Sequence, residues 1–299
     1  MTPDPRIGVV VITRDRRAEL LRVLDRLTAL PEDPPIVVVD NASRDGTADA
    51  VAAAHPQVVL VRSRTNLGAV GRNIGVALLD TPYVAFSDDD TWWEPGALSH
   101  AADLLDRHCD VAVLTGRILV EPGGREDPIT PELRDSPVPG RQGLPGPALL
   151  GILAGASVLR VDAFTDVGGF SPRLWLGGEE ELLSLDLAAA GWWMCWVEDM
   201  RVHHAPSTER DGTRRRCLGI RNTLWTAWLR RPVGGAARRT WAVLRSVPRD
   251  TASVSAVAEA LAGLPWVLCN RRPVPHRIEQ GLRLLEKPQR HSRARRYVG

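Results

Sequence analysis

The stretch YVAFSDDDTWWEPGAL, Tyr83 to Leu98, sets three consecutive aspartates directly behind a short apolar run. Carboxylates repel one another, and desolvating even one is costly without a partner, so the triplet calls for a cation or open water. The chain before it settles what kind of strand carries it. Ile7–Ile12 (IGVVVI), Ile36–Asp40 (IVVVD) and Val58–Val61 (VVLV) are earlier runs of the same kind, separated by helix-spaced or turn-rich segments. Continuous apolar, β-branched runs suit strands covered on both faces. The βαβαβαβ order predicts a mostly parallel sheet with right-handed crossovers and helices on both sides. Ligands in such sheets lie beyond the carboxyl ends of the strands. Thr13, Arg14 and Asp15, then Asp40 and Asn41, then Asp88, Asp89 and Asp90 all follow an apolar strand and are expected to open onto one crevice.

Composition narrows the class. The hydrophobic and charged fractions are those of an ordinary globular protein, and a net charge of +2 argues against a general nucleic-acid binder. Lys287 is the only lysine among many arginines, a bias that a GC-rich coding genome also produces. Cys109, Cys195, Cys217 and Cys269 are scattered, without zinc-like spacing, and read as reduced thiols. The N-terminus lacks the pattern of a signal peptide, and no apolar run reaches the roughly 18–20 residues that span a bilayer. A cytoplasmic protein is expected, with attachment to the membrane surface left open.

Each motif has a functional and a bland reading. Asp88 and Asp90, in a D-x-D, suit Mg²⁺ or Mn²⁺ if both turn into the crevice while Asp89 points elsewhere; the alternative is a solvated acidic turn. Asp40 and Asn41 can bind a nucleobase or ribose, or simply form a turn. Arg72, in TNLGAVGRNIG, can meet phosphate at a helix start, while the glycines can equally serve close helix packing. In GGEEELL, Glu179, Glu180 and Glu181 suit the helix dipole, yet one of them can act as a general base. His203 and His204 lie at a strand end where a neutral imidazole can join carboxylates on an ion.

In this order the motifs resemble glycosyltransferase family 2, the inverting enzymes with a GT-A fold. The matching stretches are VVVITRDR, IVVVDNASRDGT, TNLGAVGRNIG, YVAFSDDDTWWEPGAL, GASVLRVDAFTDVGGFSPRLWLGGEEELLSLDLAAAG and the histidine, with IRNTLW just beyond. The resemblance implies that Asp40 and the Thr13–Arg14 loop contact base and ribose, that Asp88 lies near ribose or metal, and that Asp90 ligates a divalent cation under the diphosphate. It puts Glu180 at the base position with Glu179 beside it, although the family usually carries Asp there, and it favours His204 over His203. The first loop lacks the proline and aromatic residue common in the family.

The expected organisation is a GT-A domain over 1–210, its nucleotide-sugar half at 1–120, a Pro/Gly-rich flexible loop at 121–147 and an acceptor half at 148–210. A basic helical extension occupies 211–299. The donor is expected to be a nucleotide-diphosphate sugar, UDP first, and the acceptor a glycan, a lipid-linked molecule or a small molecule. The tail, with its tryptophans and arginines, is left open as a membrane-surface contact, a helical cap or a homodimer interface. Rival readings are a sugar nucleotidyltransferase, disfavoured by the glycine-free TRDRRAEL, and a catalytically silent sugar-nucleotide-binding scaffold.

Overall fold

The computed structural model describes residues 3–206 and 212–291. Its first half alternates β1 (Ile7–Thr13), α1 (Arg17–Leu27), β2 (Ile36–Asp40), α2 (Thr47–Ala54), β3 (Val59–Arg62), α3 (Gly71–Val76) and β4 (Tyr83–Asp88). Then come β5 (Thr91–Trp93), α4 (Ala97–Arg107), β6 (Val111–Val120), β7 (Arg125–Glu126), α5 (Thr130–Arg134), β8 (Ser157–Arg160), α6 (Val161–Asp166), α7 (Glu179–Ala189) and β9 (Trp193–His204). The C-terminal region is helical: α8 (Gly212–Arg230), α9 (Val233–Ser246), α10 (Thr251–Ala262), α11 (Leu264–Cys269) and α12 (His276–His291).

One sheet runs through the molecule in the order β3-β2-β1-β4-β8-β6-β9-β5, with β7 on β6. The strands β3, β2, β1 and β4 are parallel, as expected. The rest of the sheet is mixed. β8 runs antiparallel to both β4 and β6, β9 is parallel to β6, and β5 is antiparallel to β9. A helical crossover between apolar runs reveals strand direction in a sequence, and no such crossover links β4 to β5 or β6 to β8.

Register brings the polar strand ends together. Thr13 pairs with Asp40, Asp40 with Arg62, and Ile12 with Asp88, so the carboxyl ends of four strands finish within about one residue of each other. Helix α3 lies hard against this corner: a β-carbon on Gly75 would stand 2.4 Å from Val10 Cγ1. Gly71 and Gly75 of TNLGAVGRNIG therefore serve close helix–sheet packing, while Gly68 takes a positive φ against the Trp175 carbonyl. Phe86, Phe164 and Phe170 form an edge-packed cluster beneath β4, with centroids 5.6–5.8 Å apart.

The segment 121–147, expected as a flexible loop, is anchored along its length. β7 pairs with β6, Ile129, Thr130 and Leu133 are buried, Arg141 bonds Asp110 at 2.7 and 2.6 Å, and Val138 bridges to Ala148. The helical extension is likewise joined to the preceding fold. Leu174 and Leu182 share a core with Ile220, Leu224 and Trp225 of α8, and Arg230 makes a two-point ion pair with Asp186 of α7. Buried Glu279 of α12 accepts from Arg231, Arg238 and Arg283. All four cysteines are free, and among the described residues no helix is long and apolar enough to cross a membrane.

Candidate active site

The acidic triplet is divided among three partners. Asp88, the last residue of β4, accepts from the Arg72 guanidinium. Arg72 is almost wholly buried, with its cation 5.7 Å from the Phe86 ring and 5.5 Å from that of Phe170. Its place is behind Asp88 rather than at an open helix start, so the phosphate contact read from the sequence gives way to holding a carboxylate. Asp89, expected to point elsewhere, instead turns to the end of β1 and accepts from Thr13 Oγ1 at 3.0 Å. Burial, then the charges of Asp90 and Asp88, push Asp89 up to about 7. Asp90 is buried, with its Oδ1 3.8 Å from His204 Nε2.

The antiparallel pairing of β5 and β9 creates that last approach. Thr91 pairs with His204, and the N–H of Ala205 donates to the Asp90 carbonyl at 2.8 Å. Neighbours on a strand face opposite ways, which separates the two histidines. His203 stacks on Trp92 with centroids 5.3 Å apart and meets Glu121 Oε1 at 2.9 Å. His204 faces Asp90 and has Asp127 Oδ2 4.0 Å from its other nitrogen.

Asp40 and Asn41 separate as well. Asp40 Oδ1 accepts from the Ser43 backbone N–H and hydroxyl, and it borders a cavity of about 360 Å³ lined by Ala42, Arg44, Thr47 and Arg62 among others. Asn41 is turned inward, donating to the Gly68 carbonyl at 3.2 Å and accepting from the Leu67 N–H at 3.3 Å. It braces the loop ahead of α3 and offers the crevice no free amide. Arg14 is exposed and pairs with Asp15 at 3.2 Å.

The acidic start of α7 lies across from the triplet. Glu180 Oε1 accepts the Ala154 N–H at 2.6 Å. The next residue, Gly155, lies against the other acid: a β-carbon there would stand 2.7 Å from Asp88 Oδ2. One turn therefore touches both carboxylates. Burial, then the neighbouring Glu179 charge, push Glu180 up to about 7, and burial raises Glu179 too. A carboxylate with a pKa near neutrality is suited to general-base work. The loop that delivers α7 is held by Asn222 of α8, whose amide donates to the carbonyls of Leu174, Leu176 and Gly177 at 2.8, 3.3 and 2.7 Å.

The family model of glycosyl transferase family 2 matches residues 8–168, more than half of the chain. The protein belongs to glycosyltransferase family 2. Curated relatives are glycosyltransferases too. The N-acetylglucosaminyl-diphospho-decaprenol L-rhamnosyltransferase of Mycobacterium tuberculosis is 29% identical over 69% of this chain and 78% of its own. The pre-mycofactocin glycosyltransferase of the same organism is 31% identical over 59% of this chain and 38% of its own. Solved structures share the fold. The mannosyltransferase PcManGT of Pyrobaculum calidifontis, in complex with GDP-Man and Mn²⁺, has a TM-score of 0.57 at 18% identity, covering 98% of this chain and 90% of that one. GalNAc-T7, with UDP, GalNAc and Mn²⁺, reaches 0.59 at 16% identity over 75% of this chain and 47% of that one.

Whether this glycosyltransferase suits a divalent ion turns on its donor set. Among the described residues no three His, Cys, Asp or Glu side chains converge as a cage. Asp90 and His204 provide two donors at a separation that one ion can bridge. Mg²⁺ and Mn²⁺ are commonly bound by one or two protein groups, with substrate phosphate and water completing the shell, so the residues present fit an ion that arrives with a diphosphate. Sequence reading missed Asp127, the Ala154 N–H and Asn222. A backbone donor has no residue signature, and Asn222 was visible only as a polar residue inside IRNTLW.

Proposed function

We propose that this glycosyltransferase moves a sugar from a nucleotide-diphosphate sugar, UDP-linked, to a hydroxyl of a lipid-linked acceptor, by a single displacement with inversion and with Mg²⁺ or Mn²⁺ held at Asp90 and His204. The observation that carries the reading is the Ala154–Gly155 turn, which lies against the Glu180 carboxyl on one side and Asp88 on the other. General base and diphosphate-side acids then flank one space. Glu180 takes the proton of the acceptor hydroxyl as its oxygen attacks the anomeric carbon. Its Oε1 is fixed by the Ala154 N–H, which aims the rest of the carboxylate. Glu179, buried beside it, keeps the local charge high and Glu180 basic. Asp90 and His204 would hold the cation, which would supply neutralisation of the charge growing on the leaving diphosphate. Thr13, Arg14 and the Asp40 cavity take ribose and base, Asp89 borders the ribose, and Arg72 and Asn41 hold the walls. UDP and Mn²⁺ in the GalNAc-T7 structure support this donor and cation, and the diphospho-decaprenol named for the rhamnosyltransferase supports the acceptor class.

Glu180→Gln tests it. Transfer should fall by about 10²–10⁴-fold, the usual worth of a general base, while donor binding stays within a factor of about two. Full transfer by Glu180→Gln would remove the base assignment. Retention of anomeric configuration in the product, read by NMR, would contradict a single displacement.

A further inference from the structure

Helical backbone carries on from α10 into α11 across Gly263, which keeps right-handed helical torsions: the Gly263 N–H donates to Glu259 and the Val267 N–H to Gly263, both at 3.1 Å, and Pro265, with no N–H, interrupts the ladder. Along these two successive helices Val254, Leu261 and Leu268 stand seven residues apart, with Ala258 and Pro265 between them, and all lie on the exposed side. That face is open, the three large side chains being 68, 60 and 59% exposed. The opposite face, with Ala256, Ala260 and Val267, is buried in the cluster built on α8. The preceding helix repeats the pattern: Val233, Trp241 and Leu244 of α9 are exposed while Val243 is buried.

Charge decides what covers the stripe. From Thr251 to Cys269 the only charged side chain is Glu259, and it already pairs with Arg221 at 3.1 Å. Asp250, just ahead of α10, accepts the Ser253 N–H at 2.8 Å and pairs with Arg216. Arginines bracket the stripe: Arg245 and Arg249 before it, Arg272 after it, all exposed and none in an ion pair with a described residue. Arg245 stacks over the exposed Trp241 ring at 5.4 Å. A second copy would bring arginines toward arginines, with no unpaired acid along the described stretch 250–272 to meet them. An anionic leaflet offers an acyl boundary for the apolar side chains and phosphates for the arginines, with tryptophan at the headgroup level.

We propose that the outer face of α10 and α11, with Trp241 of α9, is a docking surface for an anionic membrane. The helices lie in the interface and do not cross it. The inference is independent of which sugar is transferred or to what.

The full chain is sedimented with vesicles of phosphatidylcholine alone and of phosphatidylcholine mixed equally with phosphatidylglycerol. The protein partitions onto the mixed vesicles, weakly onto the neutral ones, and less at high salt. The double variant Leu261→Ser, Leu268→Ser lowers partitioning by about tenfold or more. Arg249→Gln with Arg272→Gln removes the preference for the anionic vesicles. Both variants keep the parent melting temperature and nucleotide binding, which separates loss of docking from loss of fold. Absence of wild-type partitioning overturns the proposal, as does partitioning unchanged in both variants. A wild-type dimer in solution that Leu261→Ser, Leu268→Ser turns into a monomer also overturns it, and gives the face to a second copy.

Discussion

Replacing Gly155 by alanine puts a methyl carbon 2.7 Å from Asp88 Oδ2, 3.0 Å from its Cγ and 3.5 Å from Thr91 Oγ1. Ordinary contact begins near 3.4 Å, so the carboxylate must retreat by about 0.7 Å. It has little freedom to do so. Arg72 holds the other oxygen from behind, and Arg72 is itself packed against Phe86 and Phe170. If the turn moves instead, the Ala154 N–H leaves Glu180. Overpacking of this kind costs about 1–3 kcal/mol, and each kcal/mol lowers the melting temperature of a chain near this size by about 2–4 °C. Displacement of a reacting group by close to 1 Å costs up to about 10²-fold, so kcat/KM should fall by about 10–100-fold. Thermal melts and initial-rate transfer assays on Gly155→Ala measure both effects. Unchanged stability with unchanged kcat/KM would refute the claim that this turn couples the two acids.

Glu180 titrates near 7 in the folded protein and must be ionised to accept a proton, so kcat/KM should fall as pH drops through about 7. A pH profile that stays flat to pH 5 would contradict this. The same shift sets a stability trend. The folded protein binds the Glu180 proton more tightly than the unfolded chain, whose value is 4.5, so this contribution is full below 4.5 and is lost as pH rises to about 7. Glu180→Gln should therefore melt above the parent at pH 8 and level with it near pH 4.5, as calorimetry at the two values would show. Asn222→Ala removes the side-chain amide from the carbonyls of Leu174, Leu176 and Gly177, the first of which still accepts from the Leu176 N–H, and should cost about 1–3 kcal/mol in denaturant unfolding. Because that loop delivers α7, transfer should weaken more than donor binding.

The parallel half of the sheet was legible because β1, β2, β3 and β4 are apolar runs separated by helices, and the crevice followed from where those runs end. The other half was obscure for particular reasons. Ser157–Arg160 is a four-residue strand without a readable period, and TWW, directly after the aspartates, reads as loop until its partner on β9 is known. Site residues divide in the same way. Side chains at or just past strand ends, such as Thr13, Asp40, Asp88 and Asp90, could be listed from the chain alone. Their partners could not, since Asn41 turned inward, Asp89 turned toward Thr13, and Arg72 is packed between Phe86 and Phe170, the second almost a hundred residues away. Pro and Gly in 121–147 signalled a loop, while the spaced apolar residues Ile129, Leu133 and Val138 that tie it down were too sparse to form a pattern.

The most direct test of the metal-assisted donor site is isothermal calorimetry of UDP, GDP and dTDP, with and without Mn²⁺, on the parent protein and on Asp90→Asn. UDP should bind in the presence of Mn²⁺, and the binding should weaken sharply when either the ion or the Asp90 carboxylate is removed. Equal binding with and without Mn²⁺, unaffected by Asp90→Asn, would contradict the account.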